Sequence, residues 1–515
     1  MNRLLIALAV LLAALTVPAA ASAHATLVQS FPTHGQNLDN APPSMEIIFN
    51  EAVSAPFNPL TVRNSRGERV DQGDAIVDPG DPVRVEVNLK PLPPGLYTAV
   101  YRVASLDGHP VEGAIVFSVG AAGEAPAIDQ AAPPTVATPP AVGVVHGLAQ
   151  LVACLLAGLA AFLVLVAGGE SMAHLGRLAL ALVLLLAGLG FAEMSLYAVR
   201  ASGEAWSPQL LGRALLATRV GNIWLWRLGL AAAAGGALAL VSRLKWAAPI
   251  AGLGLLFTFS LQSHAMALGR TLPVVVDYLH LVALAPWVGG LAGFALAPRA
   301  ELVPRFSRVA LVSVALLAGT GTYGALQHMP SWQALWTTVY GRALLWKLGL
   351  LVPVLALAAY NLFRRGQGRF RLSVRGELVL VMGIFLAAGF LTSLPPAGVE
   401  LALKQGPFEE TATADGFTIG LKITPNRLGF NQATITLLNP EGKPEPGANA
   451  GLRLTMLEHD MGTQSIDARE ISPGTYGVRD VILGMPGEWQ VEVAALTKGG
   501  REVRYAFRVK IPSPP

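Results

Sequence analysis

Three residues in the first fifth of the chain can build a metal site. An apolar leader ends in Ala21-Ser22-Ala23-His24. Cleavage after Ala23, at a small-residue site of the secretory kind, makes His24 the first residue of the mature chain. A terminal histidine carries two nitrogen donors, its α-amine and its imidazole. Further on, Ser105-Leu106-Asp107-Gly108-His109-Pro110 offers a carboxylate and an imidazole two residues apart. In an extended segment such side chains share one face. His24, Asp107 and His109 together supply three nitrogens and one oxygen. That set suits tetragonal Cu(II) better than Zn(II), which often recruits cysteine, or Mg(II), which prefers oxygen. Asp-Gly-His alone is also an ordinary turn, and His24 alone could be an accident of cleavage. Their joint occurrence in one small exported segment is what points to metal.

Two further sets lie downstream. His146, Met194, His264, Met266, Asp277, His280, His328 and Met329 fall inside a long apolar region, and Met456, His459 and Met461 near the C-terminus. Imidazole with thioether suits copper, and thioether favours Cu(I). Each has a plainer reading, the histidines as helix-to-helix hydrogen bonders and the methionines as core. Cys154 is the single cysteine, so no intramolecular disulfide and no Cys-x-x-Cys site can form.

The elements that must position these residues follow from composition. The chain has 515 residues, 14% charged, with a mean hydropathy of +0.50, which is membrane-protein composition. A formal charge of +4 gives no case for nucleic acid. Residues 1–23 read as the signal peptide. Residues 24–120 hold short strands with period-two alternation, such as Met45-Glu46-Ile47-Ile48-Phe49 and Val83-Arg84-Val85-Glu86-Val87, separated by Pro/Gly turns. That pattern predicts a small antiparallel sandwich or barrel. Residues 121–140 form an Ala/Pro linker, residues 141–397 the membrane segment, and residues 405–515 a second strand-rich exported domain, expected as a β-sandwich.

Eight apolar spans can be drawn within the membrane segment, near 143–167, 175–199, 220–241, 246–268, 274–297, 307–328, 342–363 and 377–395. With the N-terminal domain exported, the Arg-rich loops, above all that with Arg364, Arg365, Arg369, Arg371 and Arg375, face the cytoplasm. The C-terminal domain then returns to the exported side. Gly221-x4-Trp226-Arg227-Leu228-Gly229-Leu230 matches Gly341-x4-Trp346-Lys347-Leu348-Gly349-Leu350, and His146 corresponds to His280. The match predicts a 4+4 parallel repeat. On this topology the candidate histidines of the membrane segment lie toward the outer face, with Glu193, and His174 alone lies inside. Intramembrane ionisable residues are functional candidates by default.

Residues 24–120 resemble a CopC-type periplasmic copper-binding domain, on Ser30-Phe31-Pro32-Thr33-His34-Gly35 and Asp107-Gly108-His109-Pro110-Val111-Glu112-Gly113. The resemblance implies a cupredoxin-like β-barrel that binds Cu(II) through His24, Asp107 and His109. Met45 is the segment's one methionine, so the Met-rich loop of some members is missing. The membrane segment resembles the CopD family, on Ser263-His264, Asp277-x2-His280, Trp287-x-Gly289-Gly290, Arg305-Phe306-Ser307 and Tyr340-Gly341-Arg342-x4-Lys347. The fusion is similar to YcnJ-type copper-uptake proteins, and the last domain is similar to YtkA-like domains. These resemblances imply a multi-pass protein of the bacterial plasma membrane that moves copper into the cytoplasm, with copper ions, the lipid bilayer and copper chaperones as partners. The chain has no P-loop and no ATPase phosphorylation motif. It reads as a transporter or metal-binding protein rather than an enzyme. Two rivals stay open: a redox protein with haem between His146 and His280, and a passive copper-sequestering resistance protein.

Overall fold

The computed structural model describes residues 25–511, except 26, 34–35, 56, 106–107, 121–138, 169–172, 240–245, 268–269, 297–298, 364–369, 395, 405, 425, 427–428, 459–461 and 485–486. The signal peptide, linker residues 121–138, His24, Asp107, His459 and Met461 lie outside the described residues. The described chain divides into two compact units. One is helical and takes in Ala104–Pro110 with Ala137–Glu400. The other is β-rich and takes in Ala25–Val103, Val111–Val136 and Leu401–Pro515.

In the β-rich unit the first domain has eight strands: β1 Leu27–Phe31, β2 Asn37–Leu38, β3 Ser44–Phe49, β4 Leu60–Asn64, β5 Ile76–Val77, β6 Arg84–Asn88, β7 Gly95–Ala104 and β8 Pro110–Val119. They form two four-stranded sheets, β1-β3-β6-β5 and β2-β8-β7-β4. Alternation sets the core. Met45, Ile47 and Phe49 of β3 are buried with Val85 and Val87 of β6, facing Tyr97, Ala99 and Tyr101 of β7 and Ile115 and Phe117 of β8. Asp71 is a buried exception that is fully used. Its carboxylate accepts from Val62 N at 2.8 Å and Gly73 N at 2.9 Å, and pairs with Arg69 at 2.6 Å. The expectation of purely antiparallel pairing needs one amendment, because the short β2 runs parallel to β8.

The second domain has nine strands: β9 Phe408–Ala414, β10 Phe417–Thr424, β11 Gly429–Leu438, β12 Asn449–Met456, β13 Thr463–Asp467, β14 Arg469–Ser472, β15 Thr475–Leu483, β16 Gly487–Leu496 and β17 Glu502–Ile511. They form a five-stranded sheet, β14-β15-β11-β10-β9, and a four-stranded one, β13-β12-β16-β17, around a common core that includes Ile419, Leu421, Tyr476, Val491 and Phe507.

The helical unit contains α1 Pro140–Leu165, α2 Ala173–Ser202, α3 Pro208–Ala217, α4 Arg219–Ala239, α5 Ala247–Ser260, α6 His264–Ala267, α7 Thr271–Leu296, α8 Val303–His328, α9 Ala334–Thr337, α10 Val339–Phe363, α11 Phe370–Ser393 and α12 Ala397–Lys404. Six of them (α1, α2, α7, α8, α10 and α11) are long and apolar enough to cross a membrane. The two other expected spans differ in form. The one near 220–241 is α4, which carries Arg219 and Arg227. The one near 246–268 is not continuous: α5 ends at Ser260 after 14 residues and α6 begins at His264. The reason is local. Ser263 Oγ donates to the Ser260 carbonyl at 3.0 Å, and such side-chain bonds compete with the helical ladder.

Glycines let the central helices touch. A Cβ on Gly158 of α1 would stand 2.0 Å from the Ala285 carbonyl oxygen of α7, and one on Gly289 would stand 2.0 Å from the Gly158 carbonyl carbon. On α11, a Cβ at Gly389 would stand 2.1 Å from the Gly143 carbonyl oxygen of α1. Small residues on two faces thus place α1 between α7 and α11, the usual device of helix association in lipid. The outer faces of α8 and α10 present Leu311, Val312, Trp346 and Val352 outward, as a lipid-facing surface requires.

Part of the internal match reappears as geometry. Thr218 Oγ1 accepts from Gly221 N at 2.8 Å where α4 begins, and Thr338 Oγ1 accepts from Gly341 N at 2.9 Å where α10 begins. In both corners a Cβ on the glycine would meet the preceding short helix, at 2.3 Å for Gly221 and 2.2 Å for Gly341.

Candidate metal centre

The sequence candidates of the membrane segment collect in the helical unit as two polar groups and a row of rings. The first group joins α1, α2, α4 and α5. His146 Nδ1 lies 2.7 Å from Glu193 Oε1, and Arg227 Nη1 donates to Glu193 Oε2 at 3.2 Å. Arg227 is held on every side. Its Nε donates to Thr258 Oγ1 at 3.1 Å, one Nη2 proton reaches the Thr258 carbonyl at 3.2 Å, another reaches Gln262 Oε1, and its Cζ sits 3.8 Å over the Phe259 ring. The guanidinium is 2% exposed, so these partners replace water entirely.

The second group joins α7, α8 and α10. His280 Nδ1 lies 2.8 Å from Thr320 Oγ1, and the Thr320 hydroxyl donates to the Leu316 carbonyl at 2.7 Å. Asp277 and Lys347 are electrostatic partners. Arg227, whose equivalent in the sequence match is Lys347, thus pairs with an acidic residue of a neighbouring helix.

The row of rings runs through three other histidines. His109, in the segment Ala104–Pro110, stacks on His264 with ring centroids 5.2 Å apart, and His264 meets His328 edge-on at 5.9 Å. His328 in turn lies 6.2 Å from the Tyr340 ring. The Leu391 carbonyl accepts from His264 Nε2 at 3.3 Å. His109 is presented by a tight turn in which Ser105 N donates to the His109 carbonyl and Gly108 N to the Ser105 carbonyl. Gly108 has φ +88°, and a Cβ there would stand 2.7 Å from Val220 Cγ2, so only glycine fits. His109, His146, Glu193, Met194 and Gln262 line one cavity of about 80 Å³. That is room for an ion with water.

The remaining candidates are more scattered. Met266 follows His264 in α6, and Met329 ends α8 beside His328. Met456 is buried in the core of the last domain. Among the described residues, no three His, Cys, Asp or Glu side chains converge as a ready metal cage. His146 and His280, the pair considered for haem, each have their own partner, in Glu193 and Thr320. Cys154 is buried.

Sequence reasoning missed Thr258 and Gln262, because nothing in a hydroxyl or amide on a helix marks it as an arginine ligand. It also missed Glu377 of α11, which is 1% exposed and accepts from Asn361 Nδ2.

The glycine of the Asp107–Gly113 motif has a packing reason. A Cβ on Gly113 would stand 2.2 Å from the Tyr101 hydroxyl on the adjacent strand. Burial pushes that phenol up to about 12.

The CopC domain family matches residues 27–120, and the family Copper resistance protein D matches residues 300–391. The chain is 29% identical over 529 residues to copper transport protein CutJ of Bacillus subtilis, covering 95% of this chain and 96% of that one. It is 32% identical over 114 residues to Protein YobA of Escherichia coli K12, covering 22% of this chain and 91% of that one. Among solved structures, CopC from Methylosinus trichosporium OB3b is 28% identical, covers 19% of this chain and 93% of its own, and gives a TM-score of 0.18. PcoC, a methionine-rich copper resistance protein from Escherichia coli, is also 28% identical, covers 19% and 98%, and gives 0.17. A CopC domain, a CopD match and six helices long and apolar enough to cross a membrane thus lie in one polypeptide, which is the make-up of a CopC/CopD fusion.

Proposed function

We propose that the chain captures Cu(II) outside the plasma membrane through His24, Asp107 and His109 and moves copper inward through its helical unit. The reading takes the eight spans as a 4+4 repeat with both β domains on the outer side. The observation that carries it is the row His109, His264, His328, at centroid separations of 5.2 and 5.9 Å. Imidazoles that bind a first-row ion through nitrogen at about 2 Å can hand it on over such spacings with small side-chain rotations. The family and the B. subtilis relative named a copper transport protein support copper as the cargo.

Radiocopper uptake into right-side-out membrane vesicles tests the reading. His264→Ala is expected to lower uptake to that of vesicles without the protein, while electron paramagnetic resonance still detects Cu(II) on the first domain. Undiminished uptake at equal protein levels would sink the route through His264. Copper binding without any protein-dependent flux would leave passive sequestration as the function.

A further inference from the structure

We propose that Glu193, locked by Arg227, is the positioning residue that commits His146 to binding copper through Nε2. The inference rests on the reading that copper enters the helical unit.

Glu193 faces a guanidinium at 3.2 Å, so it is a carboxylate and can only accept hydrogen bonds. The imidazole nitrogen 2.7 Å from it, Nδ1, must therefore be the N–H donor. In a neutral imidazole that leaves the lone pair on Nε2. His146 has no second hydrogen-bond partner among the described residues, and it lines the cavity that also holds His109 and the Met194 thioether. An imidazole whose far nitrogen donates to a carboxylate is the arrangement that metal-binding histidines use. The carboxylate fixes the tautomer and raises the basicity of the ligating nitrogen.

The anchoring explains why so many bonds converge on Arg227. Thr258, Gln262 and the Phe259 ring fix the guanidinium, the guanidinium fixes Glu193, and Glu193 fixes His146. The other half of the bundle reaches the same tautomer by other means. Thr320 gives its hydroxyl proton to the Leu316 carbonyl, so its oxygen accepts from His280 Nδ1. His280 thus also keeps its lone pair on Nε2, but with a neutral acceptor behind it.

Full-length protein in nanodiscs carries the test. Nitrogen NMR of 15N-histidine protein, with His146 assigned by difference against His146→Asn, should report the Nδ1–H tautomer. In Glu193→Gln that preference should relax, while circular dichroism stays unchanged. Anaerobic titration with Cu(I) against a chromophoric chelator should show a site that His146→Ala removes. Glu193→Gln should weaken that site by about 10- to 100-fold. In the His146→Ala background, Glu193→Gln should do nothing more. A His146 that carries its proton on Nε2 in the wild type overturns the proposal, as does a Glu193→Gln effect that survives loss of His146. A positive titration cycle together with His264-independent uptake would refute the transport route and leave the positioning role standing.

Discussion

Replacing Arg227 by methionine separates the two effects that hold the first polar group. The side chain is 2% exposed, and methionine keeps most of its apolar stem while removing all five donors. Side-chain hydrogen bonds between helices in a bilayer average about 0.6 kcal/mol each, so losing those to Thr258 and Gln262 costs roughly 1–2 kcal/mol. Stranding the Glu193 carboxylate without its cation costs about 3–5 kcal/mol. The charge effect dominates, and Arg227→Met is expected to destabilise by roughly 4–7 kcal/mol, on the order of a thousandfold or more in the folding constant. Adding Glu193→Gln removes the stranded charge and should recover most of the loss, leaving a deficit of roughly 1–2 kcal/mol. The assay is reversible SDS unfolding in mixed micelles on wild type, single and double variants. Carrying His146→Asn in every variant keeps the imidazole from supplying a replacement cation. A single variant within about 1 kcal/mol of wild type, or a double variant as unstable as the single, would show that the pair is not the buried ion pair its geometry describes.

Two further outcomes test packing. Gly289→Leu puts side-chain atoms where a Cβ would already be 2.0 Å from the Gly158 backbone, so α1 and α7 cannot close. It should abolish recovery of monodisperse protein on gel filtration, whereas Gly188→Ala, with open space around its Cβ, should be recovered normally. Gly113→Ala pushes on the Tyr101 hydroxyl from 2.2 Å and should destabilise the first domain by about 1–3 kcal/mol, read as faster proteolysis between residues 27 and 120 of the intact protein.

The strands with an apolar face were legible, because a side chain's face is fixed by parity. Met45, Ile47 and Phe49, or Trp489, Val491 and Val493, could be read as core before any coordinates. The strands that escaped notice have no such face: β13 reads TQSID and β14 reads REIS, both largely exposed at sheet edges. The helices were legible as apolar runs, and the break after Ser260 was not, because hydropathy sums over Ser, Gln and His without registering which backbone bonds they take. The histidines were legible as candidates from residue type alone. Their partners were not. Glu193 became the acceptor of His146 only through the meeting of α1 and α2, and Thr320 the acceptor of His280 only through α7 and α8. Periodicity within one helix carries no information about which helix lies opposite.

The two polar groups each hold a histidine and a basic residue and differ in what stands behind the imidazole. The capping corners at Thr218 and Thr338 are nearly superimposable in their bonds, so the scaffold around Arg227 and Lys347 is the same device used twice. A carboxylate behind His146 makes its free nitrogen the stronger donor, and a hydroxyl behind His280 makes its free nitrogen the weaker. A path that conducts must bind its ion well enough to admit it and loosely enough to release it. Two equally strong ligands would hold copper where the cavity first receives it. On the proposed route, a strong ligand in the first polar group and a weaker one in the second would give the ion a site to enter and a site from which to leave.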